Sequence, residues 1–397
     1  MIPSPRHFRL PPPPADALAL SQRLLQQMQD ESRSNGNWLS FYRYMTLALY
    51  APGLGYYAAG SQKLGAAGDF VTAPEQSPLF GHCLARQCAQ VLDTLGGGDI
   101  LEFGAGTGQL AAQVLDTLAQ QDALPDHYLI LDTSPDLRQR QQATLSQLPE
   151  ALAARVQWLD RLPEPGTFRG VMLANEVLDA LPVELFIWHP DQVLRRGVQI
   201  TAEGVIWADR PADDTMTAAV HTLHQAAGGH WGAGYQSEFN PGLAPWIMAV
   251  AECLAAGVLL LVDYGYPGRE YYSPERRQGT LIAHYRHRML TDPLIWPGLM
   301  DLTANVDFSA VARAGAGADL TLLGYTTQAW FLFGTGLEAA FAARCQEDVR
   351  AQMALAAQVR TLTLPGEMGE RFQVMALGRG VDIPLMGFAQ HDLSHRL

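Results

Sequence analysis

A glutamate followed by three alternating glycines, Glu102-Phe103-Gly104-Ala105-Gly106-Thr107-Gly108, is the first stretch whose residue types and spacing can do chemistry. Apolar Ile100-Leu101 precede it and a helical pattern follows, so it reads as a strand, a tight turn and a helix start. Glycine is needed where backbone turns sharply against a ligand with no Cβ in the way. A helix N-terminus also leaves free N–H groups aimed at that ligand. The arrangement suits the amino-acid end of S-adenosyl-L-methionine, with Gly104, Ala105, Gly106 and Gly108 as the cradle and Glu102 holding the ammonium directly or through water. A nicotinamide dinucleotide is the competing ligand, because Gly106-Thr107-Gly108-Gln109-Leu110-Ala111 satisfies the permissive form G-x-G-x-x-A. The acid separates the two: a carboxylate two residues before the first glycine faces a pyrophosphate with the wrong charge.

Two further acids follow strands. Asp132 ends the second, where a carboxylate accepts from ribose hydroxyls in this kind of fold, and Ser134 beside it is expected to assist. Helix capping is the plainer role for this cluster, since Thr133, Ser134 and Asp136 are all good caps. Asp160, after the third strand, is placed to accept from an adenine amino group, or else is a solvent-facing turn acid.

The segment Ala174-Asn175-Glu176-Val177-Leu178-Asp179-Ala180-Leu181-Pro182 carries two carboxylates and an amide among apolar residues, a costly arrangement unless they are engaged. Methyl transfer to nitrogen is an in-line displacement, so a lone pair must be held against the sulfonium methyl and water kept out. Glu176 is expected to orient the acceptor nitrogen with Asp179 assisting, while Asn175 contacts the cofactor. Capping of the next helix is the alternative for both acids.

The elements that must position these residues alternate from about Asp99 onward. Strands are expected at Ile100–Phe103, Tyr128–Leu131, Val156–Leu159, Val171–Ala174, Val258–Val262, Leu320–Leu323 and Phe372–Leu377, with helices such as Leu110–Leu118, Asp136–Leu145 and Trp246–Ala255 between them. That is the pattern of a mostly parallel, doubly wound α/β sheet, its last two strands suited to an antiparallel edge. Residues 99–182 and 242–397 are read as this core, 183–241 as an inserted β-rich region, and 266–307 as an irregular insertion. Residues 1–98 hold a proline-rich leader, helices at Ala15–Asp30 and Phe41–Tyr50, and a long loop, Ala51–Ser77. Within it Gly68–Glu75 is expected to act as a lid, bringing Thr72 and Pro74 to the cofactor.

With 40 acidic against 27 basic residues the formal charge is −13, which disfavours a nucleic-acid partner. The short basic run Arg286-His287-Arg288 reads as a solvated helix face. Four cysteines without a CxxC pair fit a reducing compartment, for which the cytoplasm is the expectation, and no segment is apolar long enough to span a bilayer. No metal site is expected: His221 and His224 have ligand-like spacing but lack a third ligand. His284 and His287 are weaker candidate bases.

Beyond single motifs, the chain resembles the mitochondrial-dysfunction-A-like methyltransferases, a family that includes a mitochondrial complex I assembly factor. The resemblance runs through Met45–Tyr50, Gly55-Tyr56-Tyr57, Gly68–Glu75, Glu102–Gly108, Asn175-Glu176 and Asp179–Val183. It continues at Asp263-Tyr264-Gly265, Gly279-Thr280-Leu281, Asp301–Phe308 and Met368–Phe372. It implies a class I, Rossmann-like methyltransferase fold, S-adenosyl-L-methionine as cofactor and a protein substrate, with arginine methylation of a respiratory-complex subunit as the leading activity. An assembly chaperone that keeps the pocket without rapid turnover, and a nicotinamide-dependent oxidoreductase, are the alternatives. Two departures stand out: Asn305 where the family motif often has histidine, and Gln113 where an acid is common.

Overall fold

The computed structural model describes residues 12–59, 72–202, 204–286, 288–344 and 348–397. Gly68–Val71 of the expected lid therefore lie outside the described residues, as does His287.

Seven strands build the central sheet: β1 Asp99–Phe103, β2 Tyr128–Leu131, β3 Val156–Leu159, β4 Phe168–Asn175, β5 Leu254–Tyr266, β6 Thr321–Thr327 and β7 Phe372–Arg379. Their order is β6-β7-β5-β4-β1-β2-β3, with a two-residue strand, Val306–Asp307, added to the end of β5. Strands β1 to β5 are parallel, and β7 runs antiparallel to both β5 and β6. This is the expected class I fold.

Alternation within each strand feeds two cores, because successive side chains leave opposite faces of a sheet. Val258, Leu260 and Val262 of β5 join one buried cluster, and Leu259 and Leu261 join the other. Val374 and Ala376 of β7 divide from Met375 and Leu377 in the same way. Burial on both faces is why these strands read as unbroken apolar runs. A helix that the pattern had not suggested, Pro78–Leu95, covers the first face together with Gln109–Gln120. Ser77 caps it through an Oγ that accepts from the Leu79 N–H at 3.3 Å, and Gly96 ends it at φ 74°.

The inserted region does form an antiparallel sheet, but it is completed from elsewhere. Strands 184–189, 192–201, 204–211 and 235–239 are joined by Trp38–Ser40 from the N-terminal segment. The stretch expected to be irregular contains a second small sheet, in which Ile282–Tyr285 pairs with Arg288–Leu290 and Asp301–Thr303. Arg286 lies at a turn at φ 48° and Arg288 opens the next strand, so neither of these two arginines is on a helix face. Its short strands, broken by prolines and polar residues, carry too little alternation to be read from sequence. Helices Ala15–Ser32 and Phe41–Tyr50 pack with both small sheets in a third cluster. Among the described residues no helix is long and apolar enough to cross a membrane.

Candidate active site

The strand order reverses between β1 and β4, and at that switch point the carboxyl ends of β1, β2 and β4 open onto a cavity of about 370 Å³. After β1 the chain turns with Gly104 at φ 60° and Gly106 at φ 54°. A Cβ at Gly104 would stand 3.3 Å from the Val177 side chain across the cavity floor. Glycine is thus required there by conformation and by proximity.

Glu102 is buried on β1 and lines the cavity, where its Oε2 accepts from the Tyr128 hydroxyl at 2.7 Å. Burial pushes its carboxyl up to about 7 against that hydrogen bond. Asp132 at the end of β2 also lines the cavity; its Oδ1 accepts from the Ser134 N–H at 2.9 Å and its Oδ2 from Gln141 Nε2 at 2.8 Å. Burial raises its pKa as well.

The turn after β4 brings in Asn175 and Glu176. Glu176 has φ 54°, a left-handed conformation that is uncommon for a non-glycine residue and marks a site held against local preference. What holds it is visible. The Glu176 N–H donates to the Val262 carbonyl at 2.9 Å, and Asp263 Oδ2 accepts from the N–H groups of Leu178 and Asp179 at 2.9 and 3.2 Å. The Tyr264 hydroxyl donates to Asp179 Oδ2, leaving Asp179 Oδ1 with no protein partner. Glu176 itself accepts from the Asn175 amide at 3.3 Å and from the Ala73 backbone. Burial, then the charge of Asp179, push Glu176 up to about 8, and burial pushes Asp179 up to about 6.

A short segment closes this side. Thr72, Pro74 and Glu75 line the cavity, Thr107 Oγ1 donates to Glu75 at 3.3 Å, and Gln113 Nε2 donates to the Pro74 carbonyl at 2.7 Å. Gln113, a departure from the usual acid, therefore clips this segment to the helix after the glycine turn.

Of the residues expected at the site, Thr72, Pro74, Glu102, Gly104, Ala105, Gly106, Asp132, Asn175 and Glu176 all line the cavity. Four do not. Asp179 is buried against the Tyr264 hydroxyl, outside the lining; Gly108 opens the helix, where a Cβ would stand 3.1 Å from Gln141 Cα. Ser134 is the helix cap, its Oγ accepting from the Leu137 N–H at 3.4 Å, and Thr133 faces the cavity instead. Asp160 is 85% exposed, paired with Arg138 at 2.7 Å and outside the cavity lining, the surroundings of a solvent-facing turn acid. His221 and His224 pack their rings against Trp188 at 4.9 and 4.2 Å. Asn305 faces a second cavity of about 300 Å³, away from the glycine turn.

Several functional positions carried no readable signal. Gln141, fully buried, donates to both the Gly106 carbonyl at 3.2 Å and Asp132, and accepts from Trp158 Nε1 at 3.0 Å. Tyr50, Tyr57 and Trp246 also line the cavity. The tyrosines lie in segments that carried the family resemblance, which was the only sign of them.

The lining holds four carboxylates, Glu75, Glu102, Asp132 and Glu176, and no lysine, arginine or histidine among the described residues. Such a site rejects a pyrophosphate and accepts cationic ligands. The glycine turn, the buried Glu102 beside it and Asp132 fit S-adenosyl-L-methionine, whose ammonium, sulfonium and ribose hydroxyls ask for these groups.

Comparison with known proteins agrees. Residues 83–326 match the model of a family of S-adenosyl-L-methionine-dependent methyltransferases. A crystallised protein from Burkholderia thailandensis bound to S-adenosyl-homocysteine is 45% identical, with a TM-score of 0.92 over 98% of this chain and 100% of that one. Among curated proteins, "Protein arginine methyltransferase NDUFAF7, mitochondrial" of Danio rerio is 27% identical over 90% of this chain and 87% of its own length. The Homo sapiens protein of that name is 26% identical over 89% and 83%. These relatives are mitochondrial by name, which overturns the expectation of a cytoplasmic location. The observation behind that expectation was unpaired cysteines, and free thiols report redox poise rather than address.

Proposed function

The chain belongs to the family of S-adenosyl-L-methionine-dependent methyltransferases, and from that premise we propose that it methylates an arginine side chain of a protein substrate. The observation that carries this reading is the surplus of acceptors at the cavity. Glu102 and Asp132 are matched to the cofactor's own ammonium and ribose. Glu176, with Asp179 nearby and the Asn175 Oδ1 lacking a partner, is left over, with no cation beside it in the lining among the described residues. A guanidinium supplies five N–H donors in a rigid plane and one positive charge, which is what this group of oxygens lacks.

Bound in this pocket, S-adenosyl-L-methionine supplies an electrophilic methyl group. The protein's part is orientation and charge. A protonated guanidinium is a poor nucleophile, so Glu176 fixes its plane and draws positive charge toward the carboxylate side, leaving lone-pair density on the nitrogen that faces the methyl. The Glu176 carboxylate would accept the proton that the guanidinium nitrogen gives up on methylation and pass it on to solvent. Asp263 and Tyr264, neither of which lines the cavity, hold Leu178 and Asp179 in the turn that carries Glu176.

The names of the relatives point the same way, to protein arginine, and a respiratory complex I subunit is the substrate class that the family resemblance favours. Incubation of cell lysate with isotopically labelled S-adenosyl-L-methionine and this protein, followed by mass spectrometry, tests it. Label on arginine in a protein is the expected result; label confined to lysine, to a carboxylate or to a small molecule overturns it.

A further inference from the structure

Tyr50 ends the N-terminal helix Phe41–Tyr50, and Tyr57 follows seven residues later; both line the cofactor cavity together with Glu176. Their rings stack, with centroids 5.6 Å apart and planes 24° from parallel. Each hydroxyl is already spent as a donor. Tyr50 donates to the Ala180 carbonyl at 2.8 Å, and Tyr57 donates to Oδ1 of buried Asp301 at 2.9 Å. What both hydroxyls offer the cavity is therefore acceptor lone pairs, set beside aromatic π-systems.

We propose that Tyr50 and Tyr57, oriented by Ala180 and Asp301, are the specificity wall for the acceptor side chain, selecting a planar guanidinium over a lysine ammonium. The assignment rests on the arginine reading of the active site and names the residues that enforce it. A guanidinium is weakly hydrated, stacks on aromatic rings and can donate edge-on to hydroxyl lone pairs at the same time. A lysine ammonium is a compact, strongly hydrated point charge that loses more on entering an aromatic slot and gains no stacking. Two outlying parts of the chain must meet for the wall to exist. The tyrosines come from the N-terminal segment, and Asp301 comes from the small sheet within 266–307. The glycine turn takes no hydrogen bond from either tyrosine, and the segment that carries Glu176 takes one, from Tyr50 to the Ala180 carbonyl.

The experiment is titration of the protein, saturated with S-adenosyl-homocysteine, with N-acetyl-arginine methylamide and with N-acetyl-lysine methylamide. The wild type is expected to favour the arginine compound by about tenfold, the scale of one desolvated cation–π contact. Tyr50→Leu and Tyr57→Leu, each kept saturated with S-adenosyl-homocysteine, should reduce that preference to threefold or less. If a leucine variant fails to bind S-adenosyl-homocysteine, the double variant Tyr50→Phe/Tyr57→Phe keeps both rings and their packing. Loss of its acceptor oxygens should weaken the arginine compound by about fivefold. Unchanged preference in the leucine variants, or unchanged arginine affinity in the double variant, overturns the wall. Equal wild-type affinity for the two compounds overturns it also, without touching the parent reading. That reading falls only if the lysate experiment labels something other than arginine.

Discussion

At the scale of single residues, Glu176 sets both rate and pH response. Its carboxyl stands at about 8 in the cavity, against an ordinary 4.5, because burial and the neighbouring Asp179 both disfavour the charged form. The acceptor guanidinium needs the carboxylate. In the free enzyme kcat/KM should therefore rise with pH through about 8 and then level, since arginine stays protonated throughout. Glu176→Gln keeps the side chain's size but not its charge. We expect the variant to retain S-adenosyl-homocysteine affinity, lose about 10²-fold in single-turnover rate, and lose the rising pH limb. A near-wild-type rate on the substrate found in the lysate screen would sink the catalytic role. Gly106→Val probes the other half of the site. At φ 54° a β-branched residue is strained and its side chain intrudes on the cradle, so calorimetry should show no cofactor binding by a folded variant. Asp160→Asn, by contrast, should leave cofactor affinity unchanged, because that carboxylate points to solvent and Arg138.

At the scale of elements, the site is held by side chains that tie one βα unit to the next. Helix Pro135–Leu145 does this through Gln141, which links the Gly106 carbonyl after β1 to Asp132 after β2 and is itself anchored by Trp158 on β3. Gln141→Leu fills the same space but strands the Trp158 N–H and frees Asp132. Each unmet buried group costs about 1–3 kcal/mol. The expected outcome is at least tenfold weaker S-adenosyl-homocysteine binding, read by titration, with KM for the protein acceptor little changed. Equal losses toward both ligands would point to general unfolding instead. The Asp263 and Tyr264 contacts do the same between β4 and β5, and they explain why a glutamate can sit in a left-handed conformation there.

At the scale of the molecule, burial of so many acids makes stability depend on pH and ligand together. Glu102 stands at about 7, Glu176 at about 8 and Asp179 at about 6, all above their unfolded values. The native state therefore keeps protons that the unfolded chain has already lost. The stability these groups contribute is complete below roughly pH 4 and is lost as pH rises through about 6 to 8. A bound ammonium favours the carboxylate of Glu102, so at pH 6 binding must first expel a proton and at pH 8 it need not. The rise in Tm caused by saturating S-adenosyl-homocysteine should accordingly be larger at pH 8 than at pH 6, by differential scanning fluorimetry. An equal or smaller rise would show that Glu102 does not meet the ligand's ammonium.

The sequence by itself determined the sheet and its cofactor turn. Strand and helix periods, the run Glu102–Gly108, and the acids after β2 and β4 are all written in windows of about ten residues, where local sterics and burial on two faces act directly. Tertiary structure alone decided which side chains converge. Tyr57 and Asp301 are 244 residues apart, and Asp263 reaches Leu178 across 85. No window contains both partners, and their meeting follows from strand order and from where the N-terminal helices and the small sheet dock. Direction was undecided for the same reason. Asp132 and Asp160 both follow strands, yet Asp132 lines the cavity beside the neighbouring glycine turn, while Asp160 follows the strand at the sheet's edge and turns to water.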